Sequence, residues 1–230
     1  MLSSINVLYE DNHIIAVNKT VSDLVQKDCS GDLSLADKVK EYICQKYNKP
    51  GEAFLGVVHR IDRPVSGVVL FARTSKALAR LNKMFREGKI AKTYWAIVSN
   101  APPSPKGTLA HFLTRNAAKN KSFCATESKP SARRAVLHYT QIARSGRYYL
   151  LEVNLETGRH HQIRCQLAHI GCPIKGDLKY GYPWSNNNGG ISLHARNIQF
   201  IHPVMKESVS ITADPDPEDA LWNFFLKQMT

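Results

Sequence analysis

The sequence predicts an α+β fold, read as a single domain over residues 1–230. Strand-like segments outnumber helical ones and do not alternate with them as a parallel α/β sheet requires. No internal repeat interrupts the chain, and no linker is long enough to separate it into independent domains. With 230 residues, 43% hydrophobic and 22% charged, it can bury a core without disulfide or metal staples.

Residues 5–18, INVLYEDNHIIAVN, read as two strands around a turn at Glu10-Asp11-Asn12. From Leu33 to Tyr47 the apolar Leu35, Val39, Tyr42 and Ile43 recur at helical spacing, with Ser34 as N-cap and Lys49-Pro50-Gly51 as the stop. Phe54 to Val58 and Val65 to Ala72 read as buried strands on either side of a polar break, HRIDRP. Ser75 to Glu87 is the clearest helix. Thr74 or Ser75 caps it, Leu78, Leu81 and Phe85 form its core stripe, and Gly88 ends it. Arg80, Lys83 and Arg86 fall three apart and share its outward face, where they are candidates for phosphate contact.

KTYWAIV at 92–98 alternates as a strand, and SNAPPSPKG at 99–107 is a turn-rich connection. Residues 108–153 hold further strands, and a strand from Leu150 to Leu155 feeds the polar run TGRHHQIR. Gln162 to Ile170 is helical and ends at Gly171, Tyr180 to Gly190 is a Gly/Asn-rich loop, and Pro217 to Met229 is an amphipathic terminal helix. Asp216 is its expected N-cap and Pro217 its first residue.

The net charge of +12 is concentrated. Residues 59–147 hold 18 basic and 3 acidic side chains, whereas residues 1–58 hold 6 basic and 8 acidic ones. A polyanion partner is expected, because Lys and Arg contacts to phosphates release condensed counterions. A membrane partner is not: the longest apolar stretch, around Val68 to Ala72, is far short of the roughly 20 residues a span needs. The opening MLSSINVLYEDNH lacks a basic head and is not read as a signal peptide. Five cysteines (Cys29, Cys44, Cys124, Cys165 and Cys172) form no CxxC pair and read as reduced thiols of a cytoplasmic protein.

Two clusters carry the chemistry. In His59-Arg60-Ile61-Asp62-Arg63-Pro64-Val65-Ser66-Gly67 an aspartate lies among cations that favour its charged form, so it suits either a nucleophile or a structural ion pair. In Thr157-Gly158-Arg159-His160-His161-Gln162-Ile163-Arg164, long polar donors lie between a strand and a helix. The paired histidines have no carboxylate or cysteine at ligand spacing, so no metal is expected.

HRIDRPVSG at 59–67 resembles the signature of the RluA-type pseudouridine synthases, His-Arg-Leu-Asp-x-x-Thr-Ser-Gly. KTYWAIV at 92–98 resembles that family's Lys-x-Tyr-x-Ala strand, and TGRHHQIRCQLAHIGCPIKGDLKYG at 157–181 resembles its third motif. The three occur in the family's order, and the resemblance spans about Val7 to Ile211. It implies the pseudouridine synthase catalytic fold, a mixed, mostly antiparallel β-sheet flanked by helices and loops. It also implies isomerisation of specific uridines in ribosomal or transfer RNA, without a cofactor. Asp62 then matches the catalytic aspartate, and Arg60 the arginine that helps displace the target base from the RNA stack. Tyr94 matches the tyrosine that packs on the base and takes part in proton handling. Ile163 matches the apolar residue beneath the base, and Arg164 the arginine that pairs with the catalytic carboxylate.

The chain departs from the family at Asn18-Lys19-Thr20-Val21-Ser22-Asp23, where relatives carry Lys-Pro-x-Gly, and at Gln166, where they more often have His. No N-terminal S4 domain is expected, a monomer is expected, and no protein partner is implied. The alternative is a non-catalytic RNA-binding or RNA-folding factor on the same scaffold. Retention of Asp62, Tyr94 and Arg164 together speaks against it.

Overall fold

Alternating apolar residues at 6–19 form a hairpin, β1 (Asn6–Glu10) and β2 (Ile14–Lys19). The Asp11 carboxylate closes its turn by accepting from the amides of His13 and Ile14, at 2.7 and 2.8 Å. The structure is a computed structural model that describes residues 5–28 and 31–229, so Cys29 lies outside the described residues. The chain divides into two compact units. Unit 1 comprises residues 1–90 and 195–215, and unit 2 residues 91–194 and 216–230. Among the described residues there are eleven strands and four α-helices, an α+β composition, and eight of the strand pairs are antiparallel.

In unit 1, α1 (Leu35–Lys46) starts at Ser34 with a reciprocal capping box to Asp37. Strand β3 (Gly56–Val57) is shorter than its apolar run predicts, and β4 (Ser66–Ala72) follows the break. Helix α2 (Ser75–Arg86) is capped by the Thr74 hydroxyl, which accepts from the Ala77 amide at 3.2 Å. The sheet order is β1-β2-β4-β10, with β3 on β4 and β11 (Ser208–Thr212) on β10 (Leu193–Ile201). Ile14, Ala16, Val68, Leu70, Leu81, Ile198 and Phe200 share one core beneath α2.

The outward face of α2 differs from the expectation. Arg80 donates to the Pro203 carbonyl at 2.8 Å, tying the helix to the end of β10, and Lys83 lies 3.8 Å from Glu87. That face is therefore only partly available to a phosphate.

Unit 2 carries β5 (Ala91–Val98), β6 (Lys106–Asn116), β7 (Lys121–Ala125), β8 (Arg133–Ser145) and β9 (Tyr148–Leu155), in the order β5-β9-β8-β6-β7. Period-two alternation gives its sheet two packed faces. Trp95, Ile97 and Leu150 pack on Trp222 and Phe225 of α4 (Ala220–Met229). On the opposite face Leu113 and Ala135 pack on Cys165 of α3 (Gln162–His169) and on Tyr180. The terminal helix begins three residues later than expected. Asp219, not Asp216, caps it by accepting from the amides of Leu221 and Trp222 at 2.9 and 3.1 Å, while Asp216 closes a separate turn onto the Glu218 amide.

Candidate active site

In unit 1, Asp62 is half-buried in the turn that leads into β4, and its carbonyl accepts from the Val65 amide at 3.0 Å. Arg60 beside it is exposed. Arg63 is directed to Asp32, 2.8 Å away, so it serves a surface ion pair. His59 is fixed structurally: its Nε2 accepts from the Leu70 amide at 2.9 Å, and its ring stacks on Phe85. Gly67 has φ of +114°, and a Cβ there would lie 2.3 Å from the Ala195 carbonyl oxygen, so the motif's glycine lets β4 approach β10.

The motifs do not point to Lys19, yet its side chain is 0% exposed, and its Nζ donates to the carbonyls of Thr20 and Arg63 at 2.8 and 3.0 Å. Burial pulls its pKa down to about 8, opposed by the charges of Asp23 and Asp62. The lysine therefore braces the turn that carries Asp62 and sets a buried cation near its carboxylate. One signal in the sequence could have found it: a lysine ending the apolar run IIAVNK.

The departure from Lys-Pro-x-Gly leaves this bracing intact. The Ser22 amide donates to the Arg63 carbonyl at 3.2 Å, Thr20 Oγ1 to Asp23 at 2.9 Å, and Lys38 pairs with Asp23 at 2.8 Å. Ser22 takes φ of +72°, a left-handed conformation that strains a side chain. Ser22→Gly should therefore stabilise the protein by about 0.5–1 kcal/mol, read as a higher urea midpoint at unchanged slope.

Lys19 also predicts a pH dependence. Its pKa is lower folded than unfolded, so between about pH 8 and 10.5 the unfolded chain holds more protons and stability rises with pH. Between pH 7.5 and 10.5 the stability of the wild type relative to Lys19→Met should gain roughly 3 kcal/mol. A flat difference in urea titrations at the two pH values would contradict the buried charge.

Unit 2 carries Tyr94, Ile163 and Arg164. Tyr94 is paired with Val153 across β5 and β9. It points to the face on which α3 packs, opposite Trp95. Ile163 and Arg164 are buried in the first turn of α3. Arg164 meets Asp177 side-on, Nε to Oδ2 at 2.7 Å and Nη2 to Oδ1 at 2.9 Å, with the carboxylate 1% exposed.

The Arg164 Nη1 group, which can only donate, lies 3.1 Å from His161 Nε2. His161 is then the Nδ1–H tautomer and donates to Tyr180 Oη at 3.0 Å. That phenol donates to the Ser122 carbonyl at 3.2 Å and accepts from the Ser122 amide at 2.9 Å. Burial pushes the phenol's pKa up, which keeps it a donor. The guanidinium lies 5.1 Å from the centre of the same ring. His160 is held by Ser122 Oγ and Asn120 Oδ1, at 2.9 and 3.1 Å. Both histidines thus orient the α3 entry. Gln166 Nε2 donates to the carbonyls of Leu109 and Ala135 at 3.0 and 3.1 Å, which seats α3 on the sheet.

Residues 13–169 match the model of the RNA pseudouridylate synthase family, a span that includes Arg60, Asp62, Tyr94, Ile163 and Arg164. The chain belongs to that family. Its activity is therefore that of an isomerase converting uridine to pseudouridine in RNA. It is 32% identical over 231 residues to the ribosomal large subunit pseudouridine synthase C of Buchnera aphidicola subsp. Baizongia pistaciae, covering 97% of this chain and 70% of that protein. It is 31% identical to the tRNA pseudouridine synthase C of Vibrio parahaemolyticus serotype O3:K6, over 92% of this chain and 91% of the relative. Among solved structures, human RNA pseudouridylate synthase domain containing 4 superposes with a TM-score of 0.79 at 22% identity, covering 96% and 93% of the two chains. That likeness supports the family fold. Among the described residues no helix is long and apolar enough to cross a membrane.

Proposed function

We propose that this chain acts as one catalytic domain that isomerises uridines in ribosomal or transfer RNA, with Asp62 as the catalytic aspartate. Arg60, Tyr94, Ile163 and Arg164 form its substrate-binding set, and the protein works in the cytoplasm as a monomer without a cofactor. The observation that carries the reading is the braced position of Asp62, whose turn is held by the buried Lys19. A fixed carboxylate suits a reaction that develops positive charge at C1′ when a glycosidic bond breaks.

In the isomerisation the N1–C1′ bond breaks, uracil turns, and C5 bonds to C1′. The C5 proton leaves to solvent and N1 takes one up, so no redox change or external group enters. Apolar and aromatic walls keep water from the detached base, which suits Ile163 and Tyr94.

Release of tritium from RNA labelled at uridine C5 tests the reading. Label released in step with pseudouridine formation supports it. Tight RNA binding without release from any ribosomal or transfer RNA would favour a non-catalytic factor.

A further inference from the structure

The loop over 181–190 presents Trp184 with 62% of its surface exposed, more than any other large apolar residue among those described. A single exposed apolar side chain is ordinary. This one is held firmly and stands in a row of aromatic rings. The Tyr182 amide donates to the Asp177 carbonyl at 3.0 Å, Lys175 Nζ to Asn186 Oδ1 at 2.6 Å, and Asn186 Nδ2 to Ser192 Oγ at 3.2 Å. Gly176 leaves room for the Asn186 side chain, which would stand 2.7 Å from a Cβ there.

From this clamped loop the row runs inward. The Trp184 and Tyr182 rings lie 6.0 Å apart, edge to face, and Tyr182 Oη lies 3.4 Å from Tyr148 Oη. Arg147 donates to Tyr148 Oη at 3.2 Å, with its guanidinium 5.3 Å from that ring's centre. On the other face of β9, Arg144 lies 5.3 Å from the Tyr149 ring. Arg144 and Arg147 are exposed at the β8–β9 turn.

The two segments that carry these groups are poor in carboxylates. No carboxylate occurs between Arg144 and Leu151, and the only one from 157 to 194 is Asp177, buried against Arg164. A protein partner would need apolar surface or carboxylates to meet these cations. A single-stranded polyanion with flat bases meets both the rings and Arg147.

We infer that Trp184 is a stacking platform for an unpaired base of the RNA substrate, with Arg147 taking an adjoining phosphate. This rests on the RNA-directed function proposed above and assigns it a recognition surface outside the three motifs. Stacking tolerates any base, whereas the arginine positions the strand without reading it.

The test uses the full chain and a fluorescein-labelled octauridylate, with affinity read by anisotropy across a salt series. Trp184→Ala should weaken binding about tenfold, while Trp184→Phe keeps most of the affinity because a ring face remains. Arg147→Gln should flatten the slope of log affinity against log salt by about 0.7. With RNA substrate, Trp184→Ala should raise KM and leave kcat within about twofold. Wild-type affinity in Trp184→Ala, or an unchanged salt slope in Arg147→Gln, overturns the platform. An inactive wild type whose octauridylate binding still needs Trp184 would sink the isomerase reading and keep the platform. An active wild type whose binding ignores Trp184 would sink the platform alone.

Discussion

Asp62→Asn should bring isomerisation below about a thousandth of the wild-type rate, a barrier increase of roughly 4 kcal/mol. The amide has nearly the shape of the carboxylate but cannot supply a full negative charge to C1′ or bond to it. The backbone role of Asp62, its carbonyl accepting from the Val65 amide, survives the change. Tritium release under single-turnover conditions checks the chemistry, and anisotropy with a labelled RNA checks binding, which should be nearly unchanged. A mutant retaining a tenth of wild-type turnover would remove Asp62 from the reaction. Because Asp62 favours the charged form of Lys19, the same substitution should push the Lys19 pKa further below its ordinary range. The alkaline gain in stability predicted for the wild type should then begin at lower pH, a second readout independent of activity.

Local signals make much of this fold legible. The spacing of Leu78, Leu81 and Phe85 and the Ser34 cap give α2 and α1 to within two residues. The alternation in KTYWAIV places Tyr94 and Trp95 on opposite faces of β5. Strand β10 escapes such reading because its pattern is masked. Ile198 and Phe200 are buried, but so is the polar His194, while Ile201 is exposed, so period two does not sort by polarity. At the terminal helix two aspartates three residues apart compete as caps, and Pro217 favours the wrong one.

The site divides along the same line. The motifs place Asp62, Tyr94 and Arg164 by resemblance, but the groups that hold them act across tertiary distance. Lys19 reaches the carbonyl of Arg63, 44 positions away. Asp177 stands within the third motif, yet nothing local marks it as the partner of Arg164 thirteen residues earlier. Such pairings exist only once the chain is folded, so spacing rules do not find them.

The pair formed by Arg164 and Asp177 carries the other large effect. Arg164→Met should cost about 3–5 kcal/mol, because it strands a carboxylate that is 1% exposed without its cation. For a chain of this length that is a fall of roughly 10 °C in melting temperature. Asp177→Asn should also destabilise, since it leaves the buried guanidinium with a weaker acceptor. A double variant, Arg164→Met with Asp177→Leu, separates the folding role from the catalytic one. Replacing both charges by apolar groups of similar size removes the stranded ion, so at least half of the lost stability should return. Activity should not return, because the substrate-binding set proposed for this site still lacks its arginine. His161 adds an internal check. Without the Nη1 donor the contact that fixes the His161 tautomer is lost. Urea titration and tritium release on the four proteins of the cycle decide the matter. Recovery of both stability and activity in the double variant would make Arg164 a structural residue only. Recovery of neither would show that the buried ion pair is not what the single substitution breaks.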